Sequence, residues 1–273
     1  MENKKFFFMA GLQRSGATVL SSILNQNPNI YSSPSSPILE ILASLEKFYD
    51  EKSNIDFDRR PAIDNVSKNV ANNFYSNYSE KYIIDKHHQW SDPGSIELIN
   101  KHITQDIKII CPVRDIVEVL ASFHTLIEKN NVKSRYNIID EGVEMYTNGN
   151  KPMPDRRADF MMMPNADMEL YLYGMSFAKN SELRHMFHFI EYNDLVSNPQ
   201  KVLNDLYDYL EIEKFDHIFE GLKSESSPEN LTGIYDLHTI HPKLEKKSID
   251  PKSIFSENTI RRYSGFEFWR DLK

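Results

Sequence analysis

The sequence predicts a three-layer α/β fold, with a central, mostly parallel sheet flanked by helices. Three observations predict it: short apolar runs of strand length recur along the chain, each is followed by a helical or polar segment, and the first passes straight into a glycine-bounded loop and a helix. Strands that alternate with helices pair in parallel, because the helix supplies the crossover that a parallel strand requires. Sheets of this kind bind ligands beyond the carboxyl ends of their strands. The expectation is one domain over residues 1–273, interrupted by an irregular insertion at about 129–180.

The first run, Phe6-Phe7-Phe8-Met9, reads as a buried strand and leads into Ala10-Gly11-Leu12-Gln13-Arg14-Ser15-Gly16-Ala17-Thr18. Gly11 and Gly16 can take backbone angles closed to other residues, so the loop can turn its N–H groups inward where the next helix offers its positive dipole end. An anion belongs there. The four-residue gap between the glycines matches the nucleotide-binding P-loop, which makes the expected fold P-loop-type. The Lys-Ser/Thr of that motif is replaced by Ala17-Thr18, and the cation comes earlier, at Arg14. An ordinary strand-to-helix connection would have the same glycines, but it would gain little from a guanidinium inside the loop. Val19, Leu20, Ile23 and Leu24 then recur on one helical face, and Asn27-Pro28-Asn29 ends the helix.

Four more apolar runs read as strands: Asn29-Ile30-Tyr31, Tyr82-Ile83-Ile84-Asp85, residues 107–113 and Phe187–Glu191. Between Lys129 and Asn180 the pattern weakens, with Asn-Gly-Asn, Arg156-Arg157 and Met161-Met162-Met163. This segment reads equally as part of a substrate wall or as a surface excursion whose methionines pack on the core.

Composition narrows the classes. With 273 residues, 40% hydrophobic and 26% charged, the chain is of ordinary globular type, and no apolar run approaches the length of a spanning helix. Lys4-Lys5 before Phe6-Phe7-Phe8-Met9 mimics a signal peptide only until Gln13-Arg14 interrupts it, so the expected setting is cytoplasmic. The single cysteine, Cys111, excludes an internal disulfide or a cysteine-based zinc site and reads as core. A net charge of −8 argues against a nucleic-acid or anionic-membrane partner but permits a local basic pocket for a small anion.

A second anchor follows the strand ending at Val113. Arg114 tops that strand, Asp115 suits the N-cap of the next helix, and Ser122 stands on that helix eight residues after Arg114. An arginine fork with a nearby hydroxyl traps a phosphate monoester well, although a surface ion pair and a plain helix serine would look the same in isolation.

Together these residues resemble the sulfotransferases that use 3′-phosphoadenosine 5′-phosphosulfate (PAPS). Gln13-Arg14-Ser15-Gly16-Ala17-Thr18 is similar to their loop for the 5′-phosphosulfate, most of all to the Pro-Arg-Ser-Gly-Thr-Thr form of the tyrosylprotein enzymes, with Gln13 and Ala17 as departures. Arg114 and Ser122 resemble the 3′-phosphate clamp, at the same spacing. Phe189-Ile190-Glu191-Tyr192-Asn193-Asp194-Leu195, followed by Pro199 and a helix over 203–212, resembles the family's late strand, turn and helix.

The resemblance implies in-line transfer of a sulfuryl group from PAPS to an acceptor hydroxyl or amine, leaving adenosine 3′,5′-bisphosphate. It implies cofactor contacts at Gln13, Arg14, Ser15, Gly16, Ala17, Thr18, Arg114, Ser122 and, near the adenosine, Tyr192. The charge that spreads over the moving group is assigned to Arg14 and Lys86. No metal is called for. Lys86-His87-His88 resembles the Lys-x-His of the cytosolic enzymes, which maps the acceptor's base onto His88; a neutral imidazole suits that task. The tyrosylprotein enzymes use a glutamate instead, for which Glu40 is the nearest candidate, and His87 is a third. A basic segment near the C-terminus, Lys246-Lys247 or Arg261-Arg262, would serve the 3′-phosphate or form a solvated face. The acceptor class stays open among small molecules, glycans and peptides, and so does the oligomeric state. Two rivals remain at this stage: a P-loop nucleotide kinase or hydrolase, and a non-catalytic nucleotide-binding protein of the same fold.

Overall fold

The structure is a computed structural model that describes residues 4–130, 137–150, 153–222, 239–246 and 249–272. Five strands, β1 (Lys5–Met9), β2 (Ile30–Ser32), β3 (Tyr82–Lys86), β4 (Ile109–Val113) and β5 (Phe187–Glu191), form one sheet in the order β2-β3-β1-β4-β5. Every pairing is parallel, and β1 lies in register with β3 from Lys5↔Tyr82 to Met9↔Lys86. All five strands expected from the sequence are present.

Alternation along β1 divides the core in two. Phe6 and Phe8 point to one face, with Ile83, Ile109, Cys111 and Val113. Helices α2 (Ile38–Tyr49), α4 (Arg60–Phe74), α5 (Pro93–His102) and α6 (Ile116–Asn130) cover that side through Leu42, Ala71, Ile99 and Leu120; α3 (Lys52–Asp56) buries no residue. Phe7 and Met9 point to the other face, with Ile84, Ile110 and Ile190. There α1 (Ala17–Leu24) contributes the apolar positions Leu20, Ile23 and Leu24. After α10 (Tyr192–Ser197), α11 (Pro199–Leu210) adds Leu203, Leu206 and Leu210 to the same face. The result is a helix–sheet–helix sandwich, as the alternating pattern requires.

Helices α7 (Asn137–Tyr146), α8 (Pro154–Met161) and α9 (Asp167–Ser176) fill much of the 129–180 segment. Met161, Met168 and Met175 are buried in the larger core cluster. Arg157 of α8 ties these helices to α6, with a two-point ion pair to Asp140 at 2.7 and 2.8 Å and a further bond to Glu128 of α6 at 2.5 Å. Helix α12 (Glu257–Tyr263) closes against α6 and α8. No described helix is long and apolar enough to cross a membrane. Cys111 is fully buried, and burial pushes its thiol up.

Candidate active site

The site forms where β1, β3 and β4 end. After Met9 the chain turns through Gly11 (φ 96°), Arg14 (φ 58°) and Gly16 (φ 89°) into α1. Gly11 has no alternative, because a Cβ there would come within 2.5 Å of the Pro112 carbonyl oxygen, and Leu12 N–H donates to that same oxygen at 3.1 Å. Arg14 is the departure from the sequence reading: a left-handed backbone on a non-glycine residue carries a cost of about 1–3 kcal/mol and marks loops whose shape is overdetermined. Ser15 helps to determine it. Its buried hydroxyl lies against the carbonyl oxygens of Leu12 and, at 2.8 Å, Pro112, so its side chain shapes the loop from beneath and does not line the cavity above.

That cavity, of about 350 Å³, is lined by Gln13, Arg14, Gly16, Ala17 and Thr18 from the loop and α1, by Lys86 at the end of β3 and His88 beyond it, by Arg114 and Ser122 around α6, and by Tyr192. Ten of the eleven loop, strand-end and clamp residues expected at one site therefore converge, Ser15 being the exception. Glu40 stands outside the lining. Helix α2 buries Ile38, Leu39 and Leu42, which turns the intervening Glu40 outward, where its side chain is 62% exposed and its carboxylate bonds His87 Nε2 at 3.0 Å.

The two adjacent histidines face different ways, because His87 is still extended (φ −149°, ψ 130°) whereas His88 opens a short 3-10 turn over His88–Ser91. His87 Nδ1 accepts from the Gln89 N–H at 3.2 Å, so its proton sits on Nε2 and is donated to Glu40. His88 has the opposite tautomer. Its Nδ1 lies 2.9 Å from the Gly11 carbonyl oxygen, which can only accept, so Nδ1 carries the proton and Nε2 the basic lone pair.

Lys86 ends β3 and is almost wholly buried, and loss of water pushes its ammonium down to about 8. The neighbouring Asp85 points to the opposite face of the strand, where Tyr75 O–H and Trp90 Nε1–H each donate to it at 2.7 Å. Burial nonetheless pushes its carboxyl up.

Arg114 lies beneath the surface with its guanidinium 4.6 Å over the Tyr192 ring and its Nε donating to Glu118 at 2.8 Å. Tyr192 in turn packs against Gly16, where a Cβ would stand 2.9 Å from the ring, so the tyrosine joins the loop to the arginine. Asp115 caps α6 as expected, accepting from Val117 and Glu118 N–H at 3.0 and 3.1 Å.

Several lining residues were not foreseen. Thr125, Leu126 and Lys129 follow Ser122 at three-, four- and seven-residue spacing on one face of α6, a signal the sequence does carry. Thr239, Ile240, His241, Lys243, Leu244 and Glu245 close the cavity from a later segment. Lys246 is exposed beyond that lining, and Lys247 lies outside the described residues. Arg261 bonds Asn258 and Arg262 pairs with Asp159, both away from the cavity. Among the described lining residues Arg14, Lys86, Arg114, Lys129 and Lys243 face a single carboxylate, Glu245. In a chain of net charge −8 that local surplus selects an anion.

A family model for the sulfotransferase domain matches residues 4–249. Among solved structures, the sulfotransferase domain from the curacin biosynthetic pathway is 17% identical over 94% of this chain and 95% of its own, with a TM-score of 0.50. The sulfotransferase domain from the Synechococcus PCC 7002 olefin synthase is 18% identical over 96% of this chain and 94% of its own, with a TM-score of 0.50. A sulfotransferase from Mycobacterium avium is 15% identical over 98% of this chain and 76% of its own, with a TM-score of 0.53. At such identities the likeness is one of fold. No curated protein matches the chain.

Proposed function

The chain belongs to the sulfotransferase domain family, and from that membership we propose that it moves a sulfuryl group from PAPS to an acceptor hydroxyl or amine, with His88 as the base. The observation that carries this reading is one cavity that joins the glycine-bounded loop to Lys86, His88, Arg114 and Ser122. The donor set fits PAPS, because two anionic ends need two cationic anchors, and Arg14 and Arg114 belong to separate segments of the same lining.

PAPS, when bound, supplies a sulfuryl group already activated by its phosphate leaving group. The loop from Gly11 to Gly16 and the start of α1 would hold the 5′ end, and Arg114 with Ser122 the 3′-phosphate. Arg14 and Lys86 stabilise charge where it develops, which is the main task when the moving group spreads charge over its equatorial oxygens. His88 Nε2 takes the acceptor proton, while the bond from Nδ1 to Gly11 keeps the ring in the tautomer that can do so. Glu40 is the weaker candidate, since its exposed carboxylate stands outside the lining and already accepts from His87.

The test is thermal shift with adenosine 3′,5′-bisphosphate against ATP plus magnesium, followed by transfer from labelled PAPS to a panel of acceptors. Stabilisation by the bisphosphate and little by ATP is expected. Equal stabilisation by both would return the site to the nucleotide kinases and hydrolases, and binding without transfer to any acceptor would mark a non-catalytic member of the fold.

A further inference from the structure

The strand pairing at the Arg114 end of the site stops one residue short of the clamp. β4 and β5 are paired as far as Val113↔Glu191, and the next residue of each chain segment, Arg114 and Tyr192, makes the cation–ring contact at 4.6 Å. Beyond the last pair the sheet no longer sets the spacing of the two segments. One short stretch, residues 267–270, grips both of them, and it lies beyond the span that the family model matches. On the β4 side the buried Glu267 accepts from the Ile116 N–H at 2.9 Å, the first amide of α6 and two residues after Arg114. Asp115 takes the next two amides, so the opening of α6 is capped by two carboxylates, one of them 151 residues away in the chain. On the β5 side Trp269 Nε1 and Arg270 Nε donate to Glu191 Oε1 at 2.9 and 2.6 Å, and Arg270 Nη2 donates to Oε2 at 3.2 Å. The buried Trp269 ring also lies nearly parallel to that of Phe189 in β5, with centroids 6.4 Å apart and planes inclined by 14°.

A group that binds an anion reaches full strength only when the residues behind it hold it to within about 0.5 Å of its working position. We propose that residues 267–270 position the 3′-phosphate clamp: Glu267 holds the opening of α6, and Trp269 with Arg270 holds Glu191, so that one turn sets where Arg114 stands relative to Tyr192. The carboxylate of Glu267 suits that place, because the positive end of α6 favours a negative charge there. Glu191 and Arg270 form a two-point ion pair, which fixes direction as well as distance. The proposal deepens the assignment of Arg114 to a 3′-phosphate and rests on that reading.

Calorimetric titration of the whole protein with adenosine 3′,5′-bisphosphate and with adenosine 5′-monophosphate, which differs only in lacking the 3′-phosphate, tests it. The ratio of the two affinities reads the clamp alone, since a protein loosened as a whole loses both ligands together. Glu267→Ala should lower that ratio about three- to tenfold, the order expected for a lost helix cap, and leave the monophosphate affinity as it was. Glu267→Gln, which keeps one side-chain oxygen for the Ile116 amide, should retain most of the ratio. Arg270→Ala should lower it from the other flank, and its side chain, 44% exposed, is one the fold can lose. Thermal unfolding checks that each variant is folded. An unchanged ratio in folded Glu267→Ala overturns the proposal, as does an unchanged ratio in Arg270→Ala should Glu267→Ala fail to fold. Equal loss of both ligands overturns it too, by showing a merely structural role. A wild-type protein that binds the two ligands alike is a different failure: it removes the 3′-phosphate reading of Arg114, and the positioning role falls with it.

Discussion

Arg14 Nε donates to Ser122 Oγ at 3.2 Å, joining the two residues that the sequence placed at opposite ends of a nucleotide. The two ends of the site are therefore in contact, and the Ser122 hydroxyl can accept from Arg14 while donating its own proton to a phosphate. A guanidinium drawn from the hydroxyl toward developing charge strengthens its contacts late in the reaction. Arg14→Ala should accordingly lower kcat about 10²-fold while weakening adenosine 3′,5′-bisphosphate binding far less. Steady-state kinetics beside a calorimetric titration separates the two, and a loss confined to affinity would make Arg14 an ordinary binding residue.

Arg114 should behave in the opposite way. It is buried, held by Glu118 and stacked on Tyr192, so it is preorganised to meet an anion before any ligand arrives. A lost charge-assisted contact costs about 1.5–3 kcal/mol, so Arg114→Ala should weaken adenosine 3′,5′-bisphosphate binding about tenfold or more and leave the small effect of ATP unchanged. Unchanged affinity in this variant would remove Arg114 from the site.

The sheet and most of the site were legible because their causes are local. Phe6-Phe7-Phe8-Met9 has to be covered on both faces, which only a central strand allows, and Gly11 and Gly16 have positive φ angles that glycine adopts without strain. The side chain of Ser15 was less legible: the Pro112 carbonyl that holds its hydroxyl beneath the loop comes from β4, far off in sequence. Glu40 was proposed by proximity in sequence to a family position, but the burial of Ile38, Leu39 and Leu42 decides which way it points. Glu267 left no trace, since its partner, the Ile116 amide, lies 151 residues away in the chain.

Lys86 gives a pH dependence with a definite sign. Its ammonium titrates at about 8 in the folded protein because burial strips its water, against an ordinary value of about 10.5 when unfolded. Between these values the unfolded chain holds a proton that the folded chain has lost, so stability attributable to Lys86 rises with pH across that window, and the penalty for the buried charge is complete below it. An anionic ligand reverses the penalty by favouring the ammonium. Binding of adenosine 3′,5′-bisphosphate above pH 8 should therefore take up a proton, and its affinity should fall by up to about tenfold per pH unit above that point. Calorimetry in buffers of different ionisation enthalpy measures the uptake directly. Lys86→Arg, whose guanidinium stays charged, should abolish it, and equal uptake in both proteins would assign the proton elsewhere.

Three side chains compete for the role of base, and their hydrogen bonds already separate them. His87 spends both ring nitrogens, one accepting from Gln89 and one donating to Glu40, and Glu40 faces solvent outside the cavity. His88 alone of the three lines the cavity and carries its lone pair on the nitrogen away from the Gly11 bond. If His88 is the base, His88→Ala should lose on the order of 10²–10⁴ in turnover, the usual worth of a positioned general base, with adenosine 3′,5′-bisphosphate affinity maintained, since in that role the imidazole meets the acceptor. His87→Ala should cost little in turnover. Glu40→Gln keeps a side-chain oxygen that can accept from His87 while removing the charge, so it should be nearly silent as well. Should Glu40→Gln abolish transfer while His88→Ala leaves it intact, the proton goes to the carboxylate, and His88 is left with a structural part, pinning the Gly11 turn.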